Sequence, residues 1–560
     1  MSAHAPAWHD PGVRRRPPAW AAALVGAVLL AACSPGAGNG APPLGERVAV
    51  EQGELLGRLD GSMLRFQGVP YAAPPVGDLR WSPPQPPAPW SETRPATAPG
   101  ARCPQLAAAP GTPHATAASE TEDCLTLDVT VPAGTSAASG LPVLVWIHGG
   151  GFNAGAGSDV DPQRLAAAGP LIVVTINYRL GIFGFFGLPG LPGAGTFGLM
   201  DQQAALGWVH RNIAAFGGDP GNVTIAGESA GADSVCGQLA SPGSVGLFQR
   251  AIMQSGGCST ANIIDIIRPG TGPSGDTWKP LPLVEAAGMS VSATFGCADP
   301  GEDPGTDGIL ACMRAVPAAQ LVPDAGFYWS PATGTDTLPR RPSDLVVDRD
   351  LRPVPVLAGT TRDEGTLFTN AFYDRAGTPL TETGFRTVLA AAAGSQRNAA
   401  GRAYRVRDRS PGRAWSDVIT DRAYACTSVA TYQSVSTRAP LFAYEFADPT
   451  APSPYAGLPP DLADGVAHGA EMPYLFDLVP GQPTLTAPQQ ALAAEMVQRW
   501  AHFVTSGNPN GDDGIVSATA WLPWAGDGQL LAVGGAGDGT QLQPGAEFAA
   551  AHRCALWGAG

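Results

Sequence analysis

A serine flanked by small residues is the feature of the sequence that most directly suggests chemistry. Residues 227–231 form the single Gly-x-Ser-x-Gly motif of the chain, with Ser229 at its centre. Residues 222–226, before the motif, indicate a buried strand, and residues 232–239 indicate a helix. Glycines permit the sharp strand-to-helix turn that lifts a serine hydroxyl clear of a sheet. The motif therefore predicts Ser229 as a nucleophile.

A serine nucleophile needs a histidine base, which must in turn be oriented by an acid. If the chain order is nucleophile, acid and base, the candidate histidines are His468, His502 and His552. His502 falls in a helical-looking stretch, residues 491–504, and His552 lies in the terminal tail, so both indicate structural roles. His468 lies in a small-residue loop, residues 464–471, from which a side chain can reach a distant serine. We therefore expect His468 to be the base.

The acid is less clearly marked. Residues 355–359 indicate a strand that is soon followed by Asp363 and Glu364. Both carboxylates thus lie at the carboxyl end of a strand, where the active sites of open α/β sheets are found. Spacing alone does not choose between them. Glu471 is so close to His468 in sequence that we expect it to cap the following segment instead.

Backbone donors for a developing oxyanion are also indicated. Residues 143–147 suggest a buried strand that leads directly into His-Gly-Gly-Gly-Phe at residues 148–152. Glycines let backbone amides converge on one point, and each such donor is typically worth about 3 to 4 kcal/mol in the transition state. Together with the residue after the nucleophile, Ala230, this loop predicts an oxyanion hole made by Gly150, Gly151 and Ala230.

Other chemistries are not favoured. Residues 193–198 match a dinucleotide-binding glycine pattern, but they follow a Pro/Gly loop and not a strand. Metal-binding spacings such as His-Glu-x-x-His or Cys-x-x-Cys are absent from the sequence. The predicted chemistry therefore needs no cofactor and no metal.

The elements that position these residues belong to a large acidic chain. It has 560 residues, of which 44% are hydrophobic and 14% charged, so it can bury a sizeable core. Since no linker interrupts the pattern, we expect residues 46–560 to form one domain. The net charge is -15, and Arg14 to Arg16 form the one basic run, so nucleic acid is not expected as a partner.

The N-terminus has the layout of an export signal. Residues 1–32 combine a basic start with an apolar stretch, residues 19–32, that is too short to span a bilayer comfortably. Leu-Ala-Ala-Cys at residues 30–33 resembles a bacterial lipobox, although an Ala-rich leader can produce it by chance. We expect Cys33 to be lipidated and residues 33–45 to be a flexible tether. This places the protein in a bacterial cell envelope, on the outer membrane or periplasmic face, or makes it secreted.

Cysteine number fits an exported protein. Nine cysteines are present, and setting Cys33 aside leaves an even number for disulfides. Cys103 with Cys124, and Cys297 with Cys312, each enclose a loop with little apolar content. Closing a loop of that size typically contributes about 3 kcal/mol.

Taken together, these motifs resemble the type-B carboxylesterase/lipase family, which also contains the cholinesterases and the neuroligins. The resemblance covers nearly the whole mature chain. It implies an α/β-hydrolase fold, with a mixed, mostly parallel central sheet flanked by helices and large insertions that form a gorge. Besides the segments above, the matching stretches are residues 66–72, 79–81, 122–125, 177–181 and 217–220.

The family's pattern also implies roles for individual residues. It selects Glu364 over Asp363, because the family's acid lies in an Asp-Glu-Gly segment. Arg80 and Glu122 match a structural salt bridge of the family and are not expected in the site.

Disulfides follow from the same resemblance. It supports the pairs Cys103–Cys124 and Cys297–Cys312 and suggests that Cys426 pairs with Cys554. Cys236 and Cys258 remain as a possible fourth pair.

For the substrate, the resemblance implies a small carboxylic ester. We expect Phe152 and Phe368 to line the acyl pocket, whereas residues 327–329 fit core packing equally well. The segment between Cys103 and Cys124 contains no tryptophan and Leu367 replaces an aromatic residue, so a choline ester is disfavoured.

The sequence thus predicts a serine carboxylesterase that acts through an acyl-enzyme on short to medium esters. An adhesion module related to the neuroligins and a lipase for long acyl chains are the alternatives. The chain keeps all three residue types of the triad, which favours the enzyme.

Overall fold

A computed structural model describes residues 41–558, and the excepted segments are given at the end of this paragraph. The predicted signal peptide and Cys33 therefore lie outside the described residues. From Pro42 to Gly560 the chain clusters as one compact unit. The excepted segments are 108–116, 260–266, 268–276, 299–304, 324–326, 408, 454–458, 464, 480, 512–518, 527 and 536–538.

An eleven-stranded mixed sheet forms the centre of the fold. Its spatial order is β11-β10-β9-β8-β7-β6-β4-β5-β3-β2-β1, numbered here along the chain. The strands from β5 to β10 pair in parallel, and the strands at both edges pair antiparallel. In chain order, the strands are Arg58–Asp60, Met63–Pro70, Thr126–Pro132, Leu141–Ile147, Ile172–Ile176, Gly218–Glu228, Arg250–Gln254, Val356–Thr361, Leu441–Phe446, Gln529–Val533 and Thr540–Pro544.

The central strands are covered on both faces, which explains their nearly continuous apolar sequences. Along β4, Val143 belongs to one buried cluster and Leu144 to another, because successive side chains of a strand point to opposite faces. Helix Phe197–Asn212 contributes to the first cluster, and helix Ala487–Ser506 contributes to the second. The predicted architecture, a mostly parallel sheet flanked by helices, is confirmed.

Further helices surround the sheet, and short two- and three-stranded sheets lie outside it. Among the described residues, no helix combines the length and apolarity needed to cross a membrane. The remaining helices are Gln163–Ala168, Gly181–Phe185, Ala230–Ala240, Leu281–Thr294, Gly305–Ala315, Ala318–Leu321, Pro342–Val347, Gly365–Thr369, Glu382–Ala393, Arg397–Ala403, Pro411–Ile419, Cys426–Val435, Pro460–Ala463, Met472–Leu475, Gly545–Ala551 and Cys554–Trp557. The short strands are Arg47–Val50, Gly53–Leu56, Arg94–Pro95, Val160–Asp161, Lys279–Pro280, Ala332–Thr333 and Asp477–Leu478.

A long insertion between β8 and β9 has its own apolar cluster. Helices Glu382–Ala393 and Pro411–Ile419 pack together there, around Trp415 and Phe385. Phe368 packs against the edge of this cluster. The insertion therefore links its own small core to the end of β8, where the acid was predicted.

Four disulfides tie the loops and helices to one another. Their Cα atoms are 5.0 to 5.5 Å apart, which is within the normal range. The three predicted pairs and the possible fourth pair are all confirmed. They join Cys103 to Cys124, Cys236 to Cys258, Cys297 to Cys312 and Cys426 to Cys554.

Two buried ion pairs stabilise the loops near the carboxyl ends of the strands. Arg80 binds Glu122 through two contacts, Nε to Oε2 at 2.7 Å and Nη2 to Oε1 at 2.5 Å. Arg179 binds the fully buried carboxylate of Asp201 in the same two-pronged way. Such paired contacts fix orientation as well as supplying energy. The structural role predicted for Arg80 and Glu122 agrees with this geometry.

Candidate active site

Ser229 occupies the predicted sharp turn between a strand and a helix. Strand β6 ends at Glu228, and helix Ala230–Ala240 begins directly after the serine. The backbone of Ser229 has φ 56° and ψ -126°, a conformation that side-chain-bearing residues rarely adopt. A Cβ atom at Gly231 would overlap the carbonyl oxygen of Ile147, so this turn requires glycine. The small residues of the motif thus permit a strained turn that presents the serine.

His468 and Glu364 are in direct contact. Nδ1 of His468 lies 2.5 Å from Oε2 of Glu364, and both side chains are buried. The other oxygen of Glu364, Oε1, accepts a hydrogen bond from the N–H of Thr361 at 2.8 Å. Because an ionised carboxylate can only accept a hydrogen bond, Nδ1 of His468 carries a proton and donates a hydrogen bond to Glu364. Nε2 is then the nitrogen available as a base.

Asp363 has a different role from its neighbour. Its carboxylate binds the guanidinium of Arg413 and accepts a hydrogen bond from the N–H of Val466 at 2.8 Å. Val466 belongs to the loop that carries His468, so Asp363 fastens this loop to the end of β8. The structure therefore separates the two candidates, since Glu364 contacts the histidine and Asp363 holds its loop.

The glycine loop after β4 lies against Ser229. Gly150 and Gly151 have φ values of 92° and 62°, which favour glycine. A Cβ atom at Gly149 would lie 3.1 Å from Cβ of Ser229, so the loop approaches the serine as closely as a backbone can. Gly150, Gly151 and Ala230 line the same cavity as Ser229. This arrangement brings together all three of the predicted oxyanion donors.

A cavity of about 650 Å³ contains the site. Ser229 and His468 lie on its wall, and most of the other lining residues are apolar. The volume is within the range of small-molecule pockets. The aromatic residues of the lining are Phe183, Phe327, Tyr328, Trp329, Phe368, Phe372 and Tyr424.

The two phenylalanines predicted to line the acyl pocket differ. Phe368 lines the cavity, and its ring centroid lies 5.1 Å from that of His468. Phe152 is fully buried and is not among the described lining residues. Its backbone has φ 61°, and its ring packs edge-on against Phe185 at 5.3 Å. The predicted contact of Phe152 with the substrate is therefore not supported, because its ring packs into the core.

A second carboxylate beside His468 was missed by the sequence reasoning. Oε1 of Glu228 lies 3.1 Å from Nε2 of His468. Burial raises the pKa of Glu228 to about 7. Burial lowers the pKa of His468, but the charges of Glu228 and Glu364 outweigh this effect and raise it to about 9. The position of Glu228, directly before the predicted nucleophile Ser229, was the one available signal.

Glu471 was expected to cap the segment that follows it. It is the N-cap residue of helix Met472–Leu475, but its side chain makes no capping hydrogen bond. Instead, the fully buried carboxylate accepts a hydrogen bond from Nε2 of Gln254 at 3.2 Å. Burial, followed by the charge of Glu228, raises the pKa of Glu471 to about 8. Glu471 therefore belongs to the buried acidic surroundings of the histidine.

The remaining candidate histidines have structural positions. Nδ1 of His552 lies 2.9 Å from Asp421, and Nε2 lies 2.8 Å from Glu445. His502 lies on helix Ala487–Ser506, as expected. Neither is among the described residues that line the cavity.

Cofactor-type sites receive no support from the described residues. They include no cluster of His, Cys, Asp and Glu side chains that could hold a metal ion. The glycine pattern at residues 193–198 is a turn that runs into helix Phe197–Asn212, and the element before it is helix Gly181–Phe185. Since no strand directly precedes this turn, the geometry of a dinucleotide-binding loop is not formed.

Comparison with known proteins gives a consistent result. The model of a family described as the carboxylesterase family matches residues 45–544. Para-nitrobenzyl esterase of Bacillus subtilis (strain 168) is 33% identical over 482 residues, which is 83% of this chain and 90% of that protein. Pyrethroid hydrolase Ces2e of Rattus norvegicus is 30% identical over 525 residues, covering 88% of this chain and 87% of that protein. Cocaine esterase of Homo sapiens is 31% identical over 491 residues, covering 82% and 83%.

A solved structure shares the fold. The structure titled thermophylic PNB esterase superposes with a TM-score of 0.72 and 28% sequence identity. The superposition covers 91% of this chain and 99% of that one. The architecture is therefore that of the α/β-hydrolases, as the sequence indicated.

Proposed function

The chain belongs to the carboxylesterase family, and from this membership we propose that Ser229, His468 and Glu364 are its catalytic triad. It is a serine carboxylesterase, an enzyme that hydrolyses carboxylic esters to an acid and an alcohol. One observation carries the assignment of residues: the 2.5 Å contact between His468 and Glu364 lies at a cavity that Ser229 also lines.

Acylation is the first half of the proposed reaction. Oγ of Ser229 attacks the carbonyl carbon of the ester while its proton moves to Nε2 of His468. The carbonyl oxygen becomes an oxyanion and accepts hydrogen bonds from the oxyanion donors, which are the N–H groups of Gly150, Gly151 and Ala230. The bond to the alkoxy oxygen then breaks, and the alcohol leaves with the proton from His468.

Deacylation repeats these steps with water. A water molecule gives a proton to His468 and attacks the acyl carbon, and the same oxyanion donors stabilise the second intermediate. When this intermediate collapses, the bond to Oγ breaks and Ser229 recovers its proton from His468. Glu364 keeps its hydrogen bond to Nδ1 throughout, so that the imidazole stays oriented and its positive form is stabilised.

The proposed substrates are esters with short to medium acyl chains. A cavity of about 650 Å³ has the size of a small-molecule site. Bulky aromatic side chains, including Trp329 and Phe368, form part of the wall, and the ring centroid of Phe368 lies 5.1 Å from that of His468. Because such rings fill the space that a long chain would need, turnover should decline as the acyl chain lengthens.

A series of chromogenic esters with acyl chains from two to sixteen carbons tests this proposal. The enzyme is the chain without residues 1–33, and a para-nitrobenzyl ester joins the series because one relative carries that name. Short esters should be hydrolysed fastest, and Ser229→Ala should lower kcat by at least about 10⁴-fold, as loss of a serine nucleophile does elsewhere.

The matched control is Ser292→Ala. Ser292 is a fully buried serine on helix Leu281–Thr294 and is not among the described lining residues, so its removal should leave turnover intact. Unchanged turnover in Ser229→Ala would remove Ser229 from the triad. A profile that rises toward sixteen carbons would contradict the proposed acyl range.

The location of the protein is proposed from its N-terminal sequence. We propose that the chain is exported, cleaved before Cys33 and anchored to a bacterial envelope membrane by lipid on that cysteine. The Leu-Ala-Ala-Cys stretch that follows an apolar segment supports this. The four disulfides fit an oxidising compartment outside the cytoplasm.

A further inference from the structure

Lys279 is the single lysine of the 560-residue sequence, and its side chain is fully buried. Its backbone belongs to a short strand, Lys279–Pro280, that pairs in parallel with Ala332–Thr333. The N–H of Lys279 donates to the carbonyl oxygen of Pro331 at 3.0 Å, and its own carbonyl oxygen accepts from Oγ1 of Thr333 at 3.2 Å. The lysine is thus fixed beside the end of the segment formed by residues 327–330.

The ammonium group of Lys279 reaches back along that segment. Its Nζ lies 2.5 Å from Oγ of Ser330, which is also fully buried. The same atom lies 4.5 Å from the ring centroid of Tyr328 and 5.4 Å from that of Phe327. Both distances are within the range of cation–π attraction, which is strongest where water is excluded. One buried side-chain nitrogen therefore contacts a hydroxyl and two aromatic rings.

These rings form part of the cavity wall. Phe327, Tyr328 and Trp329 line the cavity that contains Ser229, whereas Lys279 is not among the described lining residues and contacts these rings from behind. The rings of Phe327 and Trp329 also pack edge-on at 4.8 Å. The wall is therefore contacted by a side chain that is not among the described lining residues.

We propose that Lys279 is a positioning residue that fixes this aromatic wall and thereby sets the length of acyl chain that the cavity accepts. The inference rests on the proposed function, because it concerns how the same site chooses among esters. Arginine would fill the position differently, since its guanidinium is planar and larger than a compact ammonium. A lysine here can point three hydrogen-bond donors at Ser330 and at both ring faces.

Lys279→Met is the first variant to test. It keeps an unbranched apolar stem but removes the ammonium, so Phe327 and Tyr328 lose their attraction to the buried charge and gain freedom to move. We expect the ratio of kcat/KM for an eight-carbon ester to that for a two-carbon ester to rise about tenfold, a change typical of an altered apolar pocket. Lys279→Arg keeps a cation near the rings, but its larger planar group does not reproduce the contacts of the ammonium, so it should recover the wild-type ratio only in part.

The control is Ser292→Ala, which removes a buried hydroxyl away from the wall and should leave the ratio unchanged. A purely structural role for Lys279 would lower the thermal midpoint of unfolding while leaving the acyl-length ratio as it was. An unchanged or lowered ratio in folded Lys279→Met would overturn the inference. If wild type itself hydrolyses no ester, the proposed function fails; if wild type is active and only the ratio stays constant, this inference alone fails.

Two further measurements do not depend on the folding of Lys279→Met. Ser330→Ala removes one contact of the ammonium and should raise the same ratio by a smaller factor. Labelling the wild-type enzyme with 15N-lysine gives one side-chain resonance, because the chain has one lysine. This resonance should shift more when Ser229 is modified by an octyl phosphonate than by an ethyl phosphonate. Equal shifts, or an unchanged ratio in Ser330→Ala, would count against the proposal.

Discussion

His468 is held between two carboxylates, Glu364 at Nδ1 and Glu228 at Nε2. The first contact orients the ring, as a triad requires. The second lies at the nitrogen that accepts the serine proton in the proposed mechanism, so it would stabilise the positive imidazolium that this mechanism forms. It also keeps the proton on the histidine to a higher pH, which delays the onset of activity as the pH rises.

Glu228→Gln should therefore shift the pH profile of kcat/KM toward acid. The variant removes a negative charge 3.1 Å from Nε2 of His468, so the pKa of His468 should fall from about 9, by about one unit or more. The free base is then available at lower pH. At the same time the plateau rate should drop, since the imidazolium loses a stabilising charge.

The measurement is kcat/KM for a short ester from pH 5 to pH 10. Glu471→Gln is the matched control, because Glu471 is a buried carboxylate whose charge raises the pKa of His468 less than those of Glu228 and Glu364. Its profile should move less. Profiles that coincide for wild type and Glu228→Gln would show that Glu228 does not control the protonation of the base.

Sequence reasoning predicted the proposed nucleophile and base but not their full surroundings. Ser229 stands in a motif whose small residues are dictated by a turn, so the sequence alone singles it out as a candidate. Asp363 and Glu364 are consecutive residues that follow the end of the same strand. Only the fold shows which of the two reaches the histidine. The structure does not support the prediction for Phe152, whose backbone is left-handed and whose ring packs into the core.

The C-terminal helices are Gly545–Ala551 and Cys554–Trp557. Residues at the junction of these two helices attach them to the rest of the fold. His552 lies between Asp421 and Glu445, and Cys554 forms a disulfide with Cys426 next to it. Burial lowers the pKa of His552, but its hydrogen bonds to the two carboxylates prevail and raise it to about 9. At neutral pH His552 is therefore positively charged and forms ion pairs with both carboxylates.

His552→Gln should destabilise the protein by about 3 kcal/mol, because it removes the cation between two buried carboxylates: Glu445 loses its ion pair with His552, and Asp421 keeps the ion pair with Arg553. Since the folded pKa of His552 lies above the unfolded value of about 6.5, its contribution to stability is complete below that value. The contribution is lost as the pH rises through about 9. The difference in stability between wild type and variant should thus shrink from pH 6 to pH 10.

Denaturant unfolding of both proteins across this pH range measures the effect. His210→Gln serves as control, because His210 is exposed on helix Phe197–Asn212 and should contribute little at any pH. A stability difference between wild type and His552→Gln that stays constant from pH 6 to pH 10 would argue against a stabilising charge on His552.

Element boundaries show where sequence patterns lose information. The strand predicted at residues 355–359 extends in the structure from Val356 to Thr361. Thr360 and Thr361 look like loop residues in sequence, yet both are buried beside the parallel strand β9. Their burial depends on a partner strand that is distant in the chain, so local composition could not reveal it.

At the scale of the whole molecule, the central sheet could be predicted from the sequence, whereas the packing of the helices and insertions around it could not. The central strands are apolar on both faces, which indicates a parallel sheet covered by helices. The insertion between β8 and β9 forms its own cluster around Trp415 and also supplies Phe368 and Tyr424 to the cavity. Amphipathic helices in the sequence do not show which surface they will cover, so the family resemblance supplied this part.

The proposed lipid anchor is a property of the whole molecule, and it should be separable from catalysis. When the full chain is expressed in a bacterium, we expect Cys33 to incorporate an alkyne-tagged fatty acid and the mature enzyme to partition into detergent. Each buried methylene of an acyl chain contributes about 0.8 kcal/mol to membrane binding, so two or more chains hold a protein firmly.

Cys33→Ser leaves the rest of the leader unchanged and should lose the label. Because residues 33–45 are proposed only to tether the domain, kcat/KM for a short ester should be equal in the anchored enzyme and in the chain without residues 1–33. An unlabelled wild-type enzyme that stays in the aqueous phase would refute the anchor and leave the esterase assignment untouched.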